Sequence, residues 1–314
     1  MKKLHHLHFV AMALLTLTVS ASAAPFAYVP NEGSGTVSVI DTATDQVVTE
    51  IAAGKKPRGL AISGGWLYVS DQPNNRLQMI DLKKRMPGPT IALGESPEGV
   101  YASADGQWIS AAIEEGNDVA IVDVRTQKVA FTVKVEGKNP EHAVFSPDSK
   151  KLFVSAEDGE AVNVIDMATR VQVAHIPVGA RPRGIGFLPD SSRAYVAAEN
   201  SDEVYVIDAV KNTVITHFKA GKRANGITVH PDGSRVYISN GGDASVTVVN
   251  TADHTVLATI PVGQRPWNMA ITPDGKKLYV ANGRSGSVSV VDTGLNVKIN
   301  DITVGKLPWG VVIQ

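Results

Sequence analysis

One short string recurs along this chain and limits what the chain can fold into. In strict or slightly varied form, G-x-x-P-x-G stands as GKKPRG at 54, GESPEG at 94, GKNPEH at 137, GARPRG at 179, GKRANG at 221, GQRPWN at 263 and GKLPWG at 305. The seven copies are spaced 40 to 43 residues apart. Each is followed by a short apolar run and usually by a turn such as SPDSK (146–150), HPDGS (230–234) or TPDGK (272–276), where proline fixes φ at the second position of a type I turn. A second run follows, as in LYVS (67–70) or LYVAN (278–282). The third ends in aspartate, as in VSVID (37–41), and the fourth resembles HTVLATIPV (254–262). Four strands of about five residues, rich in Val, Ile and Tyr and repeated with a period near 42, predict an all-β, seven-bladed β-propeller. Helical periodicity is absent after the first residues.

The chain enters this pattern at a second strand, FAYVP (26–30), and leaves it at a first strand, WGVVI (309–313). Two incomplete pieces make one blade. The C-terminal strand is therefore expected to join the N-terminal blade on its channel side, closing the ring without a free seam. Burial of Val311, Val312 and Ile313 would contribute about 1.5–3 kcal/mol each.

Residues 1–23 read as a cleavable export signal: Lys2 and Lys3, an apolar run from Phe9 to Val19, and the small-residue site Ala21-Ser22-Ala23. The mature chain, a single domain over residues 24–314, would begin at Ala24 or Pro25 and lie in the periplasm. The apolar run is short of the roughly 20 residues that span a bilayer, and no membrane span is expected in the mature chain. With no cysteine, disulfides, thiolate metal sites and a cysteine nucleophile are excluded. Loss of Lys2 and Lys3 from 30 basic residues leaves 28 against 31 acidic ones, a net charge of −3 that disfavours general nucleic-acid binding.

Tyr28-Val29-Pro30-Asn31, Tyr237-Ile238-Ser239-Asn240 and Tyr279-Val280-Ala281-Asn282, with looser copies at Tyr68, Phe153 and Tyr195, resemble the YVTN-type β-propeller repeat family over essentially the whole mature chain. The leader, the length and the early start of the repeats look most like the subgroup of β-propeller proteins associated with PQQ-dependent catabolism. That resemblance implies a periplasmic setting beside quinoprotein alcohol oxidation, with a PQQ-dependent dehydrogenase as a partner. It supplies no catalytic residues. The third repeat departs most, and its QWISAAIEEGND segment (107–118) is expected to differ in loop geometry.

Positions that recur in every blade report architecture. Asp41, Asp81, Asp123, Asp166, Asp208 and Asp292, with Asn250 in the remaining blade, end the third strand and are expected to accept backbone N–H groups of the next turn. The position after the recurring proline instead varies in chemistry: Arg58, Glu98, Glu141, Arg183, Asn225, Trp267 and Trp309. The next residue is glycine except at His142 and Asn268. Before the proline stand Lys56, Ser96, Asn139, Arg181, Arg223, Arg265 and Leu307. Propeller geometry gathers these loops at one mouth of the channel, which makes this rim the candidate site for a planar, anionic small molecule: indole rings offer stacking area and arginines grip carboxylates. PQQ would suit it, on the strength of the resemblance. The competing reading is structural, with Arg58–Glu98 and Glu141–Arg183 as exposed ion pairs worth roughly 0–1 kcal/mol.

Other chemistry has thinner support. Glu98, Glu141 and His142 could contribute to a cation site, but calcium takes six to eight oxygens. The acidic loops EEGND (114–118), EDGE (157–160) and NSDE (200–203) read as solvated tips, and His175, His217, His230 and His254 as structural. No zinc-protease, nucleophile-elbow, Walker or dinucleotide motif occurs. The leading expectation is a non-catalytic binding or assembly protein. A lactonase-like hydrolase, using Glu98 and Glu141 with Asn139, Asn225 and Asn268, and a nucleic-acid-binding propeller remain as alternatives.

Overall fold

The computed structural model describes residues 25–314, so the expected leader lies outside the described residues. Seven antiparallel four-stranded sheets form the blades. Blades two to seven occupy residues 57–92, 97–134, 140–177, 182–219, 224–261 and 266–303. The first blade combines Phe26–Asn31, Thr36–Asp41 and Gln46–Ala52 with the C-terminal strand Val312–Ile313. No helix among the described residues is long and apolar enough to cross a membrane.

The strand pattern follows from what each strand faces. Second and third strands are packed between neighbouring blades on both faces, so nearly every residue is buried; Leu278, Tyr279, Val280 and Ala281 are fully so. Fourth strands lie on the outside and alternate, burying mainly one residue near the end, such as Ile51, Ile91, Ile176 or Ile302. The core accordingly consists of seven clusters, each shared by two adjacent blades. Tyr68 and Met79 of blade two meet Val100 and Ile109 of blade three in one of them. Every outermost pair also carries a bulge, as between Val39 and Ile40, which interrupts the edge that each blade shows to solvent.

The two sequence signatures are halves of one contact. Asn240 and Asn282, fully buried at the ends of second strands, accept the N–H groups of Gly221 and Gly263, which open the G-x-x-P copy of the same blade, at 3.0 and 3.1 Å. Their amides donate across the blade to Ser245 and Thr247, or Ser287 and Ser289. A Cβ at Gly221 would stand 2.5 Å from the Asn240 side chain, so only glycine fits. The Asp series behaves as expected: Asp41, Asp81, Asp123, Asp166, Asp208, Asn250 and Asp292 each accept a backbone N–H two or three residues on, at 2.7–2.9 Å.

The ring closes at the C-terminus. Ala27 pairs with Ile313 and Tyr28 with Val312, the Trp309 N–H donates to the Pro30 carbonyl at 3.0 Å, and Phe26 and Gln314 exchange backbone hydrogen bonds of 2.7 and 3.0 Å. Val311 is buried against Ala27 and Val288. Val312 and Ile313 are only half-buried, because the innermost strand lines the channel on its other side. The third repeat keeps the common geometry: its second turn is 114–117, four residues like 157–160 in the next blade.

Candidate functional site

The G-x-x-P loops bring the residue after the proline to the channel mouth, and two of them also bring the residue before it, Arg181 and Arg265. The residue before the proline adopts the left-handed backbone in six of the seven copies, Ser96, Asn139, Arg181, Arg223, Arg265 and Leu307, with φ of 54–58°. Such a conformation costs a non-glycine residue roughly 1–2 kcal/mol. The residue after the proline begins the innermost strand. There the following glycine lets neighbouring blades approach: a Cβ at Gly59 would lie 2.3 Å from the Glu98 carbonyl oxygen, and one at Gly226 2.4 Å from that of Trp267.

The two non-glycine exceptions plug the channel. The His142 ring stacks on Trp309 from across the ring, while Asn268 places its backbone N–H 3.3 Å from the Trp309 carbonyl oxygen. The Tyr101 hydroxyl donates to His142 Nδ1 at 2.5 Å. Burial pushes the His142 imidazole down to about 4, so it is the neutral ring that accepts. Trp309 and Asn268 therefore separate two chambers. Above lies a polar cavity of about 320 Å³ at the mouth, below an apolar one of about 260 Å³ walled by residues such as Ile62, Val100, Ile185 and Met269.

The mouth is more acidic and more buried than the sequence suggested. A third series, the first residue after each second strand, contributes as well: Glu32, Gln72, Glu114 and Glu157 line the cavity, Glu199 is buried against Arg183, Arg223 and Arg265, and Gly241 and Gly283 stand in the last two blades. Glu157 is 8% exposed, so the reading of EDGE as a solvated tip fails for its first residue while Asp158 and Glu160 are exposed; Glu199, just before NSDE, is 0% exposed. The fixed arginines of later blades reach over Glu157 and Glu199. The glycines have a matching reason: a Cβ at Gly241 would meet Arg265 Nη1 at 2.7 Å, and one at Gly283 would meet the Trp267 ring at 2.6 Å.

Charges divide into two halves. On blades one to three, Arg58 pairs with Glu98 and, at 3.3 Å, with Glu32; Gln72 donates to Glu98 and Ser96, and Ser96 donates to Glu114 at 2.8 Å. On blades four to seven, Arg183 binds Glu141 at 2.6 Å, Glu199 at 2.9 Å and Glu157. Arg223 and Arg265 each reach Glu199 at 2.7 Å, and Arg181 approaches Glu157 at 3.2 Å. The first half holds three carboxyl groups to one guanidinium, the second four guanidiniums to three carboxyl groups. Both expected pairs, Arg58–Glu98 and Glu141–Arg183, form, but as members of buried networks, since Glu98 and Glu141 are 0% and 6% exposed.

Burial and the charge of Glu141 push Glu98 up to about 8, against the pull of Arg58, and push Glu157 up to about 7. Burial also acts on Glu141 and Glu199, but nearby arginines outweigh it, holding Glu141 below its ordinary value and Glu199 down at about 2.

Asn225, Trp267, Asn268 and Trp309 line the cavity beside the arginines, with Trp267 half-buried and Asn225 buried. Lys56 and Leu307 are exposed and are not among the lining residues. For the candidate cation ligands, the Glu98 and Glu141 carboxylates are engaged by Arg58 and Arg183, and His142 Nδ1 by Tyr101. Among the described residues no group of three or more His, Asp or Glu side chains is arranged to hold a metal ion. His175 bonds Asn163, His217 stacks on Tyr205, His230 meets Asp232 and His254 stacks on Phe218, all away from the mouth.

With this repeat geometry in hand, the sequence profile of the YNCE-like β-propellers matches residues 5–313. The chain belongs to that family. Solved structures similar to this YNCE-like propeller include Kuenenia stuttgartiensis hydrazine synthase, at 20% identity and a TM-score of 0.78 over 91% of this chain and 99% of that one. A functionally unknown protein from Desulfotomaculum acetoxidans matches at 17% and 0.81, covering 92% and 99%. A candidate 6-phosphogluconolactonase from Bacteroides uniformis matches at 19% and 0.79, covering 93% and 100%. At such identities the likeness is one of fold, which does not choose among functions. No curated protein matches this YNCE-like chain.

Proposed function

We propose that this protein is a non-catalytic binding propeller whose channel mouth takes a small, planar, carboxylate-bearing molecule. The observation that carries the reading is the placement of Trp267 and Trp309 on the wall of the cavity that Arg181, Arg183 and Arg265 also line. Indole faces supply area and guanidiniums supply bidentate contacts. The cavity is at the lower end of the roughly 300–1,000 Å³ common for small-molecule sites, and the plug beneath gives it a floor. Periplasmic location and service to PQQ-dependent catabolism, beside an exported dehydrogenase, rest on the leader sequence and on the resemblance of the repeats.

Calorimetric titration of residues 24–314 with PQQ, with and without calcium, tests the reading. Saturable binding at micromolar or tighter affinity, weakened at least tenfold in Trp267→Ala, is the expected result. Absence of heat in both conditions would remove PQQ, and unchanged affinity in Trp267→Ala would move the site elsewhere.

A hydrolytic role is the second reading. It is favoured by Glu98 and Glu157, which hold protons near neutrality as an acid catalyst must. Turnover of a sugar lactone that is lost in Glu157→Gln would replace the binding model with this one.

A further inference from the structure

The carboxylate-binding reading leaves half of the mouth without a purpose. An anion alone would meet the basic half and leave Glu32 and Glu114 facing it with Arg58 as the one positive charge beside them. Glu98 Oε2 is buried and has no hydrogen-bond partner, although the other oxygen of the same carboxyl group takes both Arg58 and Gln72. An unsatisfied buried carboxyl oxygen costs stability unless a donor reaches it. Gln72 and Arg58, which hold the other oxygen of Glu98, line the cavity, whereas Glu98 does not.

From this division we infer that the mouth recognises a zwitterion, an amino-acid-like molecule with a flat ring. Its carboxylate faces Arg181 and Arg265, its ammonium faces Glu32 and Glu114, and its ring lies against Trp267. This rests on the proposed binding function and narrows its ligand class. Opposite charges fixed on opposite sides of one cavity select by orientation as well as by sign: a monoanion satisfies one side and a monocation the other, while only a dipolar molecule satisfies both. The hydrogen-bond donors of an ammonium match the Glu32 and Glu114 carboxylates, which otherwise have Arg58 at 3.3 Å and the Ser96 hydroxyl at 2.8 Å.

The test titrates the mature protein with L-tryptophan, indole-3-propionate and tryptamine, which share the ring and differ only in charge, alongside PQQ. Tryptophan is expected to bind at least tenfold tighter than either singly charged analogue. Glu114→Gln should cut tryptophan affinity about tenfold and leave indole-3-propionate unchanged, with Glu32→Gln as the second variant should the first fail to fold. If indole-3-propionate or tryptamine equals tryptophan, or PQQ binds and tryptophan does not, the zwitterion inference is overturned. In the PQQ case the carboxylate reading survives. Failure of all four probes would overturn both.

Discussion

His142 and Trp309 stack face to face with ring centroids 5.5 Å apart and 24° between planes, although they start from blades on opposite sides of the channel. That contact makes the closing strand part of the site. Trp309 lies four residues before the Ile313 that zips to Ala27, so the run that seals the ring also builds the floor of the mouth.

Truncation after Pro308 therefore removes a structural seam and a binding floor together. Loss of Trp309 alone should cost about 3–5 kcal/mol, a large part of a typical net stability of about 5–15 kcal/mol. The shortened protein is expected to melt far below the full chain or to aggregate in size-exclusion chromatography. Equal melting temperatures would show that closure contributes little.

Arg183 is the common partner of Glu141, Glu157 and Glu199, all buried. Arg183→Ala leaves these carboxylates short of counter-charge and should destabilise by about 3–5 kcal/mol in denaturant unfolding. Lys134→Ala removes an exposed partner of Asp118 and should cost no more than about 0.5 kcal/mol. Similar losses for the two would mean that the mouth is far better solvated than its geometry indicates.

The proton on Glu98 gives a pH signature. Its folded value of about 8 lies above the ordinary 4.5, so its contribution to stability is complete below 4.5 and is lost as pH rises through about 8. Glu157 acts in the same direction up to about 7, while Glu199, held at about 2, loses its contribution as pH falls from 4.5 towards 2. Melting temperature should accordingly decline from pH 5 to 8.5, and less steeply in Glu98→Gln. An unaltered slope in the variant would place the titrating group elsewhere.

Gly283 supports the Trp267 ring without touching any ligand position itself. Its backbone is not in the left-handed region, so Gly283→Ala adds only a Cβ, 2.6 Å from the indole carbons. The ring must move, and affinity for a mouth ligand such as PQQ should change tenfold or more while stability shifts by about 1 kcal/mol or less. A change in stability with unaltered affinity would assign Trp267 to packing.

The blades, the closure and the Asp turns were legible because each repeats seven times or ends the pattern visibly. Arg58–Glu98 and Glu141–Arg183 were legible because consecutive blades put these positions side by side. Glu157 and Glu199 were not, since an acidic turn becomes buried only when arginines of later blades fold over it, and Arg181, Arg223 and Arg265 do so from an unusual backbone conformation. The signal was nevertheless present in the residue after each second strand, Glu in four blades and Gly in the last two beside the large side chains. The His142–Trp309 contact depends on the width of the ring, which no local pattern encodes.

The paired ends also fix how the molecule can be held. The first strand runs from Phe26 towards Glu32 at the mouth, and Gln314 lies hydrogen-bonded to Phe26, so both ends of the described chain lie on the face away from the cavity. A tether at either end, whether a linker to a surface, a fused reporter or a neighbouring domain, would leave the mouth pointing outward and unobstructed.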